Sequence, residues 1–241
     1  MALVQGRRMR LPLLLLIPAM LAACASPGAL PLAGGLIEPG DEPTETARRY
    51  GALSDEKFPV KAINISRIDG RYLRQLVDYE TGEQPGTIVI DTESRYLYLV
   101  QEQGKALRYG IGVGVEGLEL TGDAVVGYKR QWPRWTPTAD MIRRSPELYE
   151  KWKGGMDGGP TNPLGARAFY LFKDGKDTLF RIHGTAEPRS IGKAVSSGCI
   201  RMFNQDVIDL YQRVPAGARV VVLGGQVASA GTAPPQIPDG G

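Results

Sequence analysis

The chain has 241 residues, 42% of them hydrophobic and 23% charged, which are the proportions of a globular protein with one generous domain and room for tails. Its formal charge is +3, but three of its 29 basic residues are arginines within the first ten positions, and without them 26 basic residues face 26 acidic ones. That balance gives no electrostatic case for nucleic-acid binding, so no nucleic-acid partner is expected.

The chain opens with MALVQGRRMR and then LPLLLLIPAMLAA, from Leu11 to Ala23. Thirteen apolar residues are too few to span a bilayer, but with basic residues before them they match the core of an export signal. Leu21-Ala22-Ala23-Cys24 resembles the lipobox of bacterial lipoprotein signals. The resemblance implies that residues 1–23 are removed and that Cys24 carries lipid. Ala25 after the cysteine favours the outer membrane. An ordinary cleaved signal with an incidental cysteine is the alternative. Residues 24–55, rich in Pro, Gly and Ala, read as a flexible tether. Residues 56–86 are of mixed composition and read as an ordered lead-in packed on the edge of the domain.

From residue 87 the pattern is mostly β. Apolar and β-branched runs at 87–90, 95–100 and 106–113, separated by polar turns, predict successive hairpins. Further strands are predicted at 168–172, 179–184 and 218–223. A helix follows Asn204 as its cap, with Val207, Leu210, Tyr211 and Val214 on one face before Pro215 and Gly217. Ser145-Pro146-Glu147 predicts the start of a shorter one. Residues 224–241 lack large apolar side chains and read as a disordered tail. The fold class is mainly β, a closed or strongly curved scaffold with a few short helices.

His183 is the only histidine, and Cys199 is one of two cysteines. With Cys24 lipidated, Cys199 is a single thiol in an exported chain, where structural cysteines usually come in pairs. His183 lies at the end of a predicted strand, and Cys199 follows Ser196-Ser197-Gly198 in a turn before the last helix. An imidazole beside a thiol can take its proton and so produce the thiolate nucleophile. A glycine before the nucleophile lets the amides of Gly198 and Cys199 approach an oxyanion. A buried structural cysteine is the bland alternative.

His183-Gly184-Thr185 followed by Ser196-Ser197-Gly198-Cys199-Ile200-Arg201 resembles the signature of the L,D-transpeptidase catalytic domain, also called the YkuD domain. The resemblance runs over residues 87–223, supported by TIVIDTESRYLYLV, NPLGARAFYL and VVVL, while 56–86 looks like the lead-in of a periplasmic lipoprotein branch. It implies a sandwich-like fold and a cysteine acyltransferase acting on peptidoglycan stem peptides in the cell envelope. Cys199 matches the nucleophile and His183 the base. The Gly184 carbonyl would orient the imidazole, Ser196 would support the nucleophile turn, and Ser197 and Arg201 would face substrate. Ser197 departs from the family's most quoted form, which has histidine there.

The activity so implied is 3→3 crosslinking, or attachment of proteins to peptidoglycan, through a thioester. The alternatives are a thiol L,D-carboxypeptidase or other hydrolase on the same scaffold, and a non-catalytic wall-binding lipoprotein. No cofactor and no metal site are expected from one histidine and one thiol. GVGVEG (112–117) and GGMDGG (154–159) lack the ending of a phosphate loop. QWPRWTPTADMI (131–142) is loop-like; its tryptophans either line the site or pack on the domain. Asp157 and Asp174 read as turn and surface residues.

Overall fold

The structure, a computed structural model, describes residues 42–114, 121–194 and 199–224. Ten strands form its frame: β1 (Gln75–Asp78), β2 (Ile88–Asp91), β3 (Tyr96–Val100), β4 (Lys105–Gly110), β5 (Gly112–Val113), β6 (Gly122–Gln131), β7 (Arg167–Lys173), β8 (Lys176–Gly184), β9 (Ile200–Met202) and β10 (Arg219–Leu223). The helices are short: α1 (Glu42–Arg49), α2 (Ala139–Arg144), α3 (Pro146–Tyr149) and α4 (Asn204–Arg213). No helix among the described residues is long and apolar enough to cross a membrane.

The strand order is β1-β4-β3-β2-β10-β6-β7-β8-β9-β5. Strands β4 and β5 stand near opposite ends of that order, yet only Ile111 separates them in the chain. One sheet can satisfy both facts only by curling over until its two ends meet, as in sandwiches whose strands pass from one layer to the other. The strongly curved, mainly β scaffold expected from the sequence is therefore present, with β1 and β5 as its edges. Side chains from both halves fill the space between. Ile88, Ile90, Leu97 and Tyr109 pack in the same core as Phe169, Leu171, Ile182 and Met202.

Local sequence accounts for much of this. The β2–β4 meander turns at Arg95, Gln103 and Gly104, all left-handed. Asp174 and Gly175, left-handed as well, close the β7–β8 hairpin in the manner that Asp-Gly favours. Strand β6 is not among the strands read from the sequence. Only Ala124 and Val126 of its ten residues are buried, and it is held by pairing with β10 on one side and β7 on the other. Strand β1 and helices α1 and α2 were also not anticipated, so part of the 131–142 segment is helical rather than loop.

Two expectations are corrected. The tether read over 24–55 is, from residue 42, ordered: α1 leads to Tyr50, which is buried and donates from its hydroxyl to the Asp206 carboxylate of α4 at 3.1 Å. Tyr50 packs with Ile191 and Phe203 under Ile63, Ile68 and Tyr72, enough apolar contact to hold the segment against the domain. The second correction concerns Asn204. Phe203 is the N-cap of α4 and makes no side-chain capping bond, while Asn204 is the first helical residue and turns its amide to other strands. At α3 the Ser145 cap and first-turn proline are present, though Ser145 makes no side-chain capping bond.

Residues 56–86 pack along the same side. Glu56 accepts from the Arg167 guanidinium at 2.5 Å and from Trp132 Nε1 at 3.0 Å, and both carboxylate and guanidinium are largely out of water. Removing one member of a buried pair leaves an uncompensated charge, which costs about 3–5 kcal/mol. Glu56→Ala should lower folding stability by about that amount, read as a fall in the urea midpoint with the slope unchanged.

Candidate active site

The site is built by strand alternation at one end of the sheet. Strands β8 and β9 run parallel, with Ile182 opposite Ile200, His183 opposite Arg201 and Gly184 opposite Met202. Successive side chains alternate between faces. Ile182, Ile200 and Met202 enter the core. Arg181, His183, Cys199 and Arg201 take the other face and line one cavity of about 500 Å³. The Cys199 carbonyl accepts from the Gly114 amide at 3.3 Å, extending the β5–β9 pairing and fixing the backbone beside the thiol. The two residues singled out by their rarity in the sequence are thus brought to one cavity.

The imidazole of His183 is buried, and its Nδ1 lies 2.5 Å from the carbonyl oxygen of Gly184. Nδ1–H donates there, so the acceptor lone pair belongs to Nε2. Burial holds the His183 pKa down to about 4; the Gly184 carbonyl opposes this, and the charges of Arg201 and Arg181 reinforce it. The ring is therefore neutral near pH 7. Gly184 has no room for a side chain, because a Cβ would collide with Asn204 Oδ1 and press on Val207. The Asn204 amide fills that space, accepting from Ala166 N at 2.9 Å and donating to the Thr185 carbonyl at 3.0 Å.

The opposite wall comes from residues 134–149 and 163–164. Trp135 pairs its backbone with Met156, stands edge-on to Tyr149 and lines the cavity with Thr138 and Met141. Trp132 instead is buried against Phe58, so the two tryptophans of this segment divide between lining and packing. Asn162 pins the wall: fully buried, its amide nitrogen lies 3.0–3.2 Å from the carbonyls of Pro133, Met156 and Asp157, and its Oδ1 accepts from Leu164 N. Asp157 pairs with Arg134, and Asp174 sits in the β7–β8 turn, so neither is placed as an acid in the cavity.

Arg201 lines the cavity and meets exposed Glu187 at 3.3 Å. Arg181, which the sequence did not single out, lies over the Tyr170 ring at 4.3 Å and is clamped by both oxygens of Asp177. Ser196, Ser197 and Gly198, and Cys24 with the signal and lipid expected there, lie outside the described residues, as do the 225–241 part of the tail and the 115–117 part of GVGVEG. Among the described residues no group of three or more His, Cys, Asp or Glu side chains is placed to hold a metal. A second cavity of about 570 Å³, beyond Glu187 and lined by Ile63, Ile68, Arg189 and Lys193, carries neither thiol nor imidazole.

The model of the L,D-transpeptidase catalytic domain, YkuD, matches residues 85–222. The probable L,D-transpeptidase ErfK/SrfK of Escherichia coli is 34% identical over 140 residues, 57% of this chain but only 44% of that relative. A putative L,D-transpeptidase in the ATP synthase subunits region of Fuscovulum blasticum, ORF 5, is 32% identical over 174 residues, 71% of this chain and 86% of its own. A solved structure from Brucella melitensis, described as a probable carnitine operon oxidoreductase caia, is 56% identical and covers 66% of this chain and 99% of its own. Its TM-score of 0.46 gives that superposition no weight for function. The family match extends over more than half of the chain and takes in both His183 and Cys199: the chain belongs to the L,D-transpeptidase catalytic-domain family.

Proposed function

We propose that this chain is a peptidoglycan L,D-transpeptidase working through a thioester on Cys199. The observation that carries the reading is the shared cavity. In it, Cys199 and a neutral His183, held by Gly184 with Nε2 as the acceptor, line the same wall. A neutral imidazole is the form that can accept a proton. Family membership supports peptidoglycan peptides as the substrate class; the proposed bond joins an L-centred diamino acid at position three of a stem peptide to a terminal D-alanine.

The thiol of Cys199 would attack the carbonyl carbon of that bond while its proton passes to Nε2 of His183. A tetrahedral oxyanion forms, for which Gly198 and Cys199 amides are the proposed donors, with Ser196 supporting the turn. Collapse breaks the C–N bond, and the imidazolium returns its proton to the departing amine of D-alanine. The resulting thioester is then attacked by a second amine, the side chain of a diamino acid on a neighbouring strand. Its proton goes to His183, the thiol is restored and a 3→3 crosslink remains. Arg201, with Ser197, would meet the peptide. Lipid on Cys24 would keep the enzyme at the outer membrane, facing its polymer.

Cys199→Ala should abolish crosslinking of disaccharide tetrapeptides, and His183→Ala should slow acylation by about 10²-fold or more with folding intact. Muropeptide analysis checks both: crosslinked dimers identify the transferase, tripeptides alone would identify a hydrolase, and unchanged tetrapeptides with the parent chain would sink the reading.

The buried imidazole also has a pH signature. With its pKa lowered from 6.5 to about 4, the folded chain refuses a proton that the unfolded chain binds between those values. The stability due to His183 is complete above about pH 6.5 and is lost as the pH falls toward 4. As the only histidine, its ring should show a single NMR titration near pH 4, displaced in Cys199→Ala; a midpoint at 6.5 insensitive to the thiol would break the proposed pair.

The anchor has its own measurement. Expressed in a host that processes lipoproteins, the full chain should partition with membranes and give an intact mass that starts at a lipidated Cys24; a soluble, unmodified chain would refute the anchor alone.

A further inference from the structure

Strand β8 carries an irregularity at the mouth of the Cys199 cavity. Phe172 pairs with Asp177 and Tyr170 with Arg181, so Thr178, Leu179 and Phe180 stand opposite Leu171 alone. Side chains of the bulge satisfy the displaced backbone. Thr178 Oγ1 donates to the Leu171 carbonyl at 2.7 Å and accepts from Phe180 N, while Asp177 accepts from Leu179 N at 2.8 Å. Asp177 is itself clamped to Arg181 at 2.7 and 2.9 Å. Such bulges re-aim side chains, and they cluster next to active sites.

What the bulge re-aims is Leu179. Its φ is +65°, a left-handed conformation in which a bulky residue is strained and glycine is not. At 68% exposure it is the most exposed large apolar side chain among the described residues. It belongs to none of the core clusters, yet it lines the cavity with Cys199 and His183. Phe180 beside it does pack on the core, so the bulge does not need a second apolar residue to hold its place. Strain and exposure are both unfavourable in the free protein, and the fold draws nothing from either. A ligand that covers the side chain would reverse the second.

We infer that Leu179 is a substrate-contacting specificity residue: the bulge presents it to the aliphatic part of the peptide bound at Cys199. This rests on the function proposed above. Within the same cavity Met141 and Tyr149 offer apolar surface, whereas Arg134, Arg181 and Arg201 bring guanidinium groups to its wall, paired with Asp157, Asp177 and the exposed Glu187. The pattern suits a residue that has both a methylene chain and carboxylates, as a diamino acid in a stem peptide has. Leu179 takes the methylenes.

The test uses Leu179→Gly, which suits the left-handed backbone and removes the side chain, and Leu179→Met, which keeps apolar bulk. Disaccharide tetrapeptide is titrated calorimetrically into the full chain with Cys199→Ala, alone and combined with each substitution. The glycine variant should raise Kd about tenfold or more, as expected for losing most of a buried leucine contact, and the methionine variant should restore binding. The melting midpoint of Leu179→Gly should equal or exceed the parent's. Equal affinity of parent and glycine variant would overturn the inference and leave the proposed function standing. A midpoint lowered by several degrees would overturn it too, by showing that Leu179 serves the fold. No binding of the tetrapeptide to the Cys199→Ala parent would overturn both.

Discussion

The close approach of the end of β8 to the first turn of α4 governs the rest of the site. Gly184 can lie there only because it has no side chain, and Asn204 and Val207 of α4 occupy the space a Cβ would need. Asn204 ties Ala166 to Thr185 on either side of Gly184, and Val207 packs against Gly184 itself. Gln205 donates to the carbonyls of Gly51 and Lys61, and Asp206 receives the Tyr50 hydroxyl. The Gly184 carbonyl that holds His183 is therefore positioned by a helix that the lead-in segment also grips. A helix start usually satisfies its own amides with a capping side chain. Here the cap is Phe203, which makes no side-chain capping bond, and Asn204, the first helical residue, turns its amide to Ala166 and Thr185 beside Gly184.

The same packing sets the electrostatics. Burial lowers the basicity of His183 and pushes the Asp206 carboxyl up to about 7, although Arg74 and the Tyr50 hydroxyl pull it down. One α4 turn later Asp209, less buried, accepts from Tyr109 at 2.7 Å and from Arg213, and pairs with Arg74 at 2.5 Å; its carboxyl is held below the usual range despite partial burial. Two aspartates on one helix thus differ because one is fully enclosed and the other meets more donors. Asp209 ties β4 and Arg74 to the helix, and Asp206 ties Tyr50 to it.

His183 and Cys199 were legible because each residue type is almost absent elsewhere and because their flanking glycines and serines form a recognisable motif. Strands β2, β3 and β10 were legible because nearly continuous apolar runs allow little else. Strand β6 was not, since GDAVVGYKRQ carries two glycines and three charges, and its conformation is imposed by neighbours on both sides. Helix α1 was hidden for a similar reason: its anchor is one tyrosine reaching Asp206, a partner 156 positions away. Asn162 left a faint signal, an amide between Thr and Pro-Leu-Gly that can satisfy several turn carbonyls at once. The β8 bulge left none, because register is a property of a strand pair and does not show in either strand's own pattern.

The lowered basicity of His183 also bears on the order of events in the proposed reaction. An imidazole whose basicity burial has lowered this far is a weak acceptor for a thiol proton at rest. Arg201 and Arg181 add to this by disfavouring the imidazolium. Burial of the ring is the larger cause. A standing imidazolium is thus a poor resting state for this cavity. Proton transfer fits better during attack, when negative charge passes from sulfur to the substrate oxygen and only the imidazolium must be tolerated. In the proposed reaction His183 would act as a general base at the moment of bond formation, starting from the neutral ring held by Gly184.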